Sequence, residues 1–343
     1  MKNVSVQIVE MLFENPLEIL EFEKPQSHGN MTIIPIIYKG KTLEFISVKK
    51  AEELGLISIN ETDTVSQLEV INNSDKQVLI PFGVTVHGGK QDRTIWEPIL
   101  LAAGGKQNIS GTNKGAMEQK YTIPAKCVEQ SRWNYRKGKG FKSSSTRLHP
   151  NVAFSAISSV GQGDVWNEIQ AYRSEMKYNA NIAPTQSYLE MTENIEKETE
   201  KIVNSFKNIE DQCGIATFIN GEFIGIEFYA SAPVWEEMSK DILKAFAIES
   251  LRFKDKPFSE KSELNKAQLI KALQSLKLIF TSRKGIGLGE VVEFESKDKK
   301  WRGNTLVHNN SLVQFYIVSK RGGSTQSNER EQFFQTNISQ RYV

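Results

Sequence analysis

The chain has 343 residues, with 43 Lys and Arg against 41 Asp and Glu and a formal net charge of +2, so it lacks the overall positive field that non-specific nucleic-acid binding uses. That length buries a hydrophobic core without staples, and two cysteines, Cys127 and Cys213, cannot build a disulfide framework; so few point to a reducing, cytoplasmic setting. No window approaches the roughly 18 apolar residues of a membrane span, and the first ten residues are too polar for a signal peptide, so a soluble protein without membrane contact is expected.

In chain order, residues 32–38, 42–48, 66–71, 77–80, 99–102 and 121–128 are short runs, mostly rich in β-branched residues and punctuated by turn residues, which predicts strands. Asn72-Asn-Ser-Asp75 reads as a hairpin connection, and residues 49–54 as a short helix. From Asp164 the period changes. Val165, Ile169, Tyr172 and Met176 fall on one helical face, and Tyr188, Met191, Ile195, Ile202, Phe206 and Ile209 on another, predicting two amphipathic helices. Asn220-Gly221 between two strand-like runs is a hairpin signal, because both turn positions must tolerate positive φ. Residues 235–251 and 264–280 repeat apolar residues at three and four and read as two more helices. Strands are expected at 290–294, 304–307 and 312–318, the last two joined by Asn309-Asn310.

The expected class is therefore α+β, with a β-rich, largely antiparallel N-terminal half followed by amphipathic helices and C-terminal β-hairpins. No Pro/Gly/Ser linker divides the chain, which favours a single α+β domain over 1–318, β-rich over 1–160 and rich in helices and hairpins over 161–318. Residues 319–343 form a polar tail in which Phe333-Phe334 and Tyr342 could embrace a neighbouring subunit.

Residue types suited to a charged, ring-bearing ligand concentrate between Ile80 and Trp166. Arg93, Arg132, Arg136 and Arg147 are planar forks able to hold a phosphate or carboxylate bidentately, and Trp133, Tyr135, Phe141 and Trp166 could stack on a base or ribose. The bland alternative is that the arginines are solvated and the indoles belong to the core. The segment 132–147 carries six bases and no acid; as a flexible loop it could close over phosphates with its Ser143-Ser-Ser-Thr146 end, or serve only solubility.

Glu129 is the candidate for acid–base work, since strand alternation would put Cys127, Glu129 and Ser131 on one face. A solvated glutamate and a small buried thiol are the plainer readings. Gly161-Gln-Gly-Asp164 opens a helix that could attract an anion, but Asp164 reads better as its cap. Gly285-Ile-Gly-Leu-Gly289 looks like part of a dinucleotide fingerprint yet leads into a strand, and is discounted. The four histidines are scattered without metal-ligand spacing, so no metal is expected; His87, beside Gly88-Gly89, is the one to watch.

Three motifs carry a resemblance that covers roughly residues 17–318. They are Gly88-Gly-Lys-Gln-Asp-Arg93, Ile123-Pro-Ala-Lys-Cys-Val-Glu-Gln-Ser-Arg-Trp133 and Gly161-Gln-Gly-Asp-Val-Trp166, and the chain carrying them resembles the ARG and Rhodanese-Phosphatase-superfamily-associated Protein domain family of prokaryotes and phages. It departs from the family pattern by a longer stretch between Arg93 and Ile123. The resemblance implies a role in binding or processing ADP-ribose or a related NAD-derived product, an associational warrant that comes from genomic neighbourhood. It also implies that Gln91, Arg93, Glu129, Arg132 and Trp133 share a site.

The leading expectation is a protein accessory to NAD and ADP-ribose metabolism that binds an ADP-ribose-like ligand through Gly88, Gly89, Gln91, Arg93, Arg132, Trp133, Arg147 and Trp166, with no cofactor. Arg93 and Arg132 would take phosphates, Trp133 or Trp166 a ring, and Gln91 and Glu129 ribose hydroxyls. One alternative is a hydrolase of ADP-ribose derivatives with Glu129 as general base. Another, disfavoured by net charge, is a nucleic-acid-binding protein using the 132–147 segment.

Overall fold

The structure, a computed structural model, describes residues 3–104, 119–135, 140–157, 161–178, 181–255 and 265–321. Its largest element is a nine-stranded antiparallel sheet in the order Leu20–Phe22, Met31–Tyr38, Gly214–Ile219, Glu222–Tyr229, Ser311–Ser319, Trp301–His308, Glu290–Ser296 and Leu278–Lys284, with Gln26–His28 also on Met31–Tyr38. Both halves of the chain supply its middle, since Met31–Tyr38 pairs with Gly214–Ile219. Every residue of Ser311–Ser319 is buried, as expected of a strand covered on both faces. One face packs Phe228, Phe294 and Phe315 under the helices Val4–Glu14 and Lys266–Ser275. The other meets the long helix Ala232–Arg252, whose Trp235, Met238, Ile242 and Phe246 join a core shared with a second β unit.

That second unit is a closed barrel running Gln119–Cys127, Gln67–Asn72, Ile57–Glu61, Gly140–Arg147, Val84–Gly88, Arg93–Ile95 and back to Gln119–Cys127. Alternation turns Ile59, Leu68, Val70, Val86, Ile95, Ile123 and Ala125 into its interior, where all are buried, and closure leaves the strands no unpaired edge. A smaller three-stranded sheet joins Ile99–Leu101, Val78–Ile80 and Ile46–Ser47. The helices Pro150–Ala156, Gln162–Glu175 and Tyr188–Glu193 close one side around Phe82, Val128, Tyr172 and Tyr188. Among the described residues, no helix is long and apolar enough to cross a membrane, and no group of His, Cys, Asp and Glu is placed to hold a metal ion.

Both Asn-based turns form as their composition requires, with positive φ at Asn220 (52°) and Gly221 (76°) and at Asn309 (49°) and Asn310 (62°). Other elements differ from expectation for local reasons. Of residues 42–48 only Ile46–Ser47 is strand, because Ser47 caps the helix Val48–Glu53 by accepting from the Lys50 amide. The expected long helix after Tyr188 is two short ones, Tyr188–Glu193 and Glu196–Val203. The predicted 264–280 helix stops at Ser275, and Leu278–Lys284 pairs with Glu290–Ser296; Leu276, Leu278 and Phe280 alternate, a strand period read as a helical one.

The main correction concerns the basic segment. Gly140–Arg147 is a barrel strand, paired with Ile57–Glu61 and Val84–Gly88, and the Ser143 amide and hydroxyl both bond Glu52. No phosphate-closing loop exists over these residues; Arg136, Lys137 and Lys139 lie outside the described residues, as does the tail from 322 onward.

Arg147 is likewise an interior group. Its Nη1 donates to Glu227 Oε1 (2.6 Å) and Tyr229 Oη (2.8 Å) and its Nη2 to the Phe82 carbonyl, and the Glu227 side chain is only 2 % exposed. Removing one member of such a pair strands the other charge in low dielectric, at about 3–5 kcal/mol. Arg147→Met is therefore expected to lower unfolding free energy by about that much in urea titration; a loss below about 1 kcal/mol, the range of exposed pairs, would contradict this placement.

Candidate functional site

One end of the barrel brings polar groups into an otherwise apolar interior. Glu61 continues the alternation of Ile57 and Ile59, and Arg93 and Cys127, paired across the barrel wall, continue that of Ile95 and Ala125. All three point inward, and all are buried. The Arg93 Nη2 lies 3.6 Å from Glu61 Oε2, while its Nη1 donates to the carbonyl (3.1 Å) and side-chain oxygen (3.3 Å) of Gln91. Arg93 Nε and Nη2 and Glu61 Oε1 are buried and make no hydrogen bond.

Gln91 and Glu129 tie this end together. Gln91 Nε2 donates to the Glu129 carbonyl (2.9 Å), and Gln91 Oε1 accepts from Cys127 Sγ (3.2 Å). Both Glu129 oxygens accept from Arg132 Nε (2.9 and 3.0 Å), and Oε2 also accepts from the Asp92 amide (3.0 Å). Arg132 Nη1 donates to the carbonyls of Gly89 (2.8 Å) and Asn134 (2.7 Å), and Nη2 to the Gly88 carbonyl (3.2 Å) and Asp92 Oδ1 (3.3 Å). A guanidinium has five N–H donors, and internal acceptors match them.

The glycines have a definite task here. Gly88 (φ 138°) and Gly89 (φ 47°) take left-handed backbone, and a Cβ would meet Gly140 O at 2.5 Å and the Phe141 ring at 2.2 Å. Only glycine lets the turn fold down so that both carbonyls reach Arg132.

The roof is aromatic. Trp133 (45 % exposed) and Tyr135 (39 %) lie over the turn, with Arg93 Cζ 5.9 Å from the Trp133 ring centroid and Lys90 Nζ 5.2 and 5.3 Å from the Trp133 and Tyr135 rings. Asp63 completes it, accepting from Lys90 Nζ (2.7 Å) and Tyr135 Oη (2.8 Å). By accepting those bonds it raises the Lys90 ammonium and the Tyr135 hydroxyl above their ordinary pKa values.

Of the residues singled out in the sequence, Gly88, Gly89, Gln91, Arg93, Glu129, Arg132 and Trp133 converge on this mouth. Arg147 does not, because it is held by Glu227 and Tyr229. Phe141 lines the barrel interior. Trp166 is half-buried in the helix Gln162–Glu175, its indole nitrogen buried without a hydrogen bond. Gly161, not Asp164, caps that helix. Gln162, its first residue, bonds the Cys127 amide (2.8 Å) and carbonyl (2.7 Å) and so fixes the helix to the end of the barrel strand.

Asp92, Glu61, Lys90 and Asp63 were missed. Asp92 is the hub, with Oδ1 beside Arg132 and 3.0 Å from His87 Nδ1, and Oδ2 accepting from Ser187 Oγ (2.9 Å). The alternation Ile57-x-Ile59-x-Glu61 was the available signal for an inward carboxylate. A separate cleft of about 890 Å³, lined by Thr42 to Ile46, Asp75, Lys76 and the start of the helix Ala232–Arg252, contains none of the candidate residues.

Compared with known proteins, the chain matches the family model of the ARG and Rhodanese-Phosphatase-superfamily-associated Protein domain over residues 19–112 and 116–318. The match spans all three motifs, and its break falls in the stretch between Arg93 and Ile123. No curated protein and no solved structure matches the chain.

Burial pushes the Cys127 thiol up to about 11, against the opposing pull of Arg93, and the Cys213 thiol up to about 12. Thiolate is the reactive form, so at pH 8 both cysteines are expected to resist iodoacetamide in the folded protein and to react once it is unfolded in urea. Mass spectrometry reads the difference; alkylation of native Cys127 at the rate of the unfolded chain would contradict the geometry.

Proposed function

The chain belongs to the ARG and Rhodanese-Phosphatase-superfamily-associated Protein domain family, and from that premise we propose that it binds an ADP-ribose-like, phosphorylated nucleotide derivative at the barrel mouth, as an accessory to ADP-ribose metabolism. One observation carries this reading. Arg93 is fully buried and its Nη2 faces Glu61 Oε2 at 3.6 Å, outside hydrogen-bond reach, so that Nε and Nη2, neighbouring N–H groups on one edge of its guanidinium, make no hydrogen bond in the protein. That edge is the fork that receives two oxygens of a phosphate or carboxylate, and a buried donor left unmatched is costly enough to favour a ligand that satisfies it. Trp133 stands over the same guanidinium and offers an exposed face on which a ring can stack.

Within this reading Arg93 keeps the phosphate role and Arg132 gives it up. Arg132, Glu129, Asp92 and Gln91 are positioning residues that hold the Gly88-Gly89 turn and the start of the Trp133 segment. Hydrolysis by Glu129 is not favoured, because both of its oxygens already accept internal hydrogen bonds in a fully buried position. Nucleic-acid binding draws less support from Gly140–Arg147, which is a barrel strand with Arg147 turned inside the protein.

Calorimetry with ADP-ribose tests the proposal. Trp133 is exposed and its removal spares the buried network, so Trp133→Ala is expected to fold and to weaken binding roughly tenfold or more, the scale of base–aromatic stacking. Arg93→Lys, which keeps the charge facing Glu61 but loses the fork, is expected to weaken it as well. Absence of binding to the wild type, or affinities unchanged in both variants, would overturn the proposal.

A further inference from the structure

Lys90 makes an arrangement that the phosphate reading leaves unused. Its ammonium lies 5.2 Å from the Trp133 ring and 5.3 Å from the Tyr135 ring, with Asp63 Oδ1 2.7 Å away. Two aromatic faces and a carboxylate around a positive charge constitute an aromatic cage, the geometry that recognises ammonium and cationic rings. Both rings are more than a third exposed. The Lys90 backbone amide is tied to Glu61 Oε2 (3.2 Å), so the residue is anchored at its main chain while its side chain can swing out.

Among the described residues four carboxylates, Glu61, Asp63, Asp92 and Glu129, stand at the mouth. Asp63, the one beside the two rings, adds its attraction for a positive charge to theirs.

We infer that Trp133, Tyr135 and Asp63 form a cation subsite, filled by the protein's own Lys90, and that the ligand carries a positively charged ring or ammonium group which displaces Lys90 while its phosphate reaches Arg93. This rests on the phosphate reading above and narrows its ligand class. An oxidised nicotinamide dinucleotide has such a ring, its reduced form has the same phosphates without that charge, and ADP-ribose lacks the ring altogether.

Calorimetry on the full chain with NAD⁺, NADH, ADP-ribose and tetramethylammonium chloride separates the claims. NAD⁺ is expected to bind roughly fivefold or more tighter than NADH, within the range of cation–π recognition. Lys90→Ala, which vacates the cage, is expected to tighten both NAD⁺ and tetramethylammonium, and adding Trp133→Ala to abolish that gain. Equal affinity for NAD⁺ and NADH, or no tetramethylammonium binding to Lys90→Ala, overturns the cation subsite even where ADP-ribose binds. Tetramethylammonium binding that depends on Trp133, without any ADP-ribose binding, supports the subsite and removes the phosphate reading instead.

Discussion

Glu129 and Asp92 are carboxylates with no access to solvent, and Arg132 is the cation against both of them. Removing an ion from water costs several kcal/mol even after relaxation, and that cost is offset only when each charge has a partner and its remaining hydrogen-bonding positions are filled. The condition is met here, since Glu129 also takes the Asp92 amide and Asp92 takes Ser187. Everything else at the barrel mouth follows. Two carbonyls must fold down to use the remaining Arg132 donors, the turn that supplies them must be Gly88-Gly89, and the chain beyond Arg132 must leave in the direction that carries Trp133 over Arg93.

Arg93 stands out against that completeness. Its Nη2 has Glu61 at 3.6 Å, yet neither Nη2 nor Nε makes a hydrogen bond, while the partly exposed Arg132 is fully bonded. The proposed binding rests on that difference, with Arg132 as the structural cation and Arg93 as the one that meets a ligand. The barrel makes that separation stable: its walls are fixed by continuous strand pairing, and its apolar filling of Ile59, Val70, Val86 and Ile123 excludes water from beneath the charged end. Low dielectric there strengthens any ion contact and sharpens the penalty for a wrong one.

Much of this was legible in the residues, and what was not has physical causes. The Asn220-Gly221 and Asn309-Asn310 turns, the helix near Val165 and the strands ending at Cys127 and Ser319 depend on local chemistry, which a sequence shows directly. Convergence of Gln91, Arg93, Glu129, Arg132 and Trp133 was suggested by motif composition and family resemblance. The fate of Arg147 was not, because its partner Glu227 is 80 positions away and a guanidinium in a strand reads alike whether it meets solvent or an interior carboxylate. Lysines and serines made residues 140–147 look like a loop, although barrel closure alone requires that segment as strand. Asp92 was hidden because its partners, Arg132 and Ser187, lie 40 and 95 positions away.

The central claim is that the Nε–Nη2 edge of Arg93, which makes no hydrogen bond in the protein, is a ligand contact and Trp133 its cover. A crystal structure of the protein with ADP-ribose bound tests it most directly. The account predicts phosphate oxygens on Arg93 Nε and Nη2, the Trp133 indole moved onto a ring of the ligand, and the Arg132–Glu129–Asp92 bonds unchanged. A ligand seated elsewhere, or phosphates held by Arg132 while Arg93 stays beneath an unmoved indole, would contradict it.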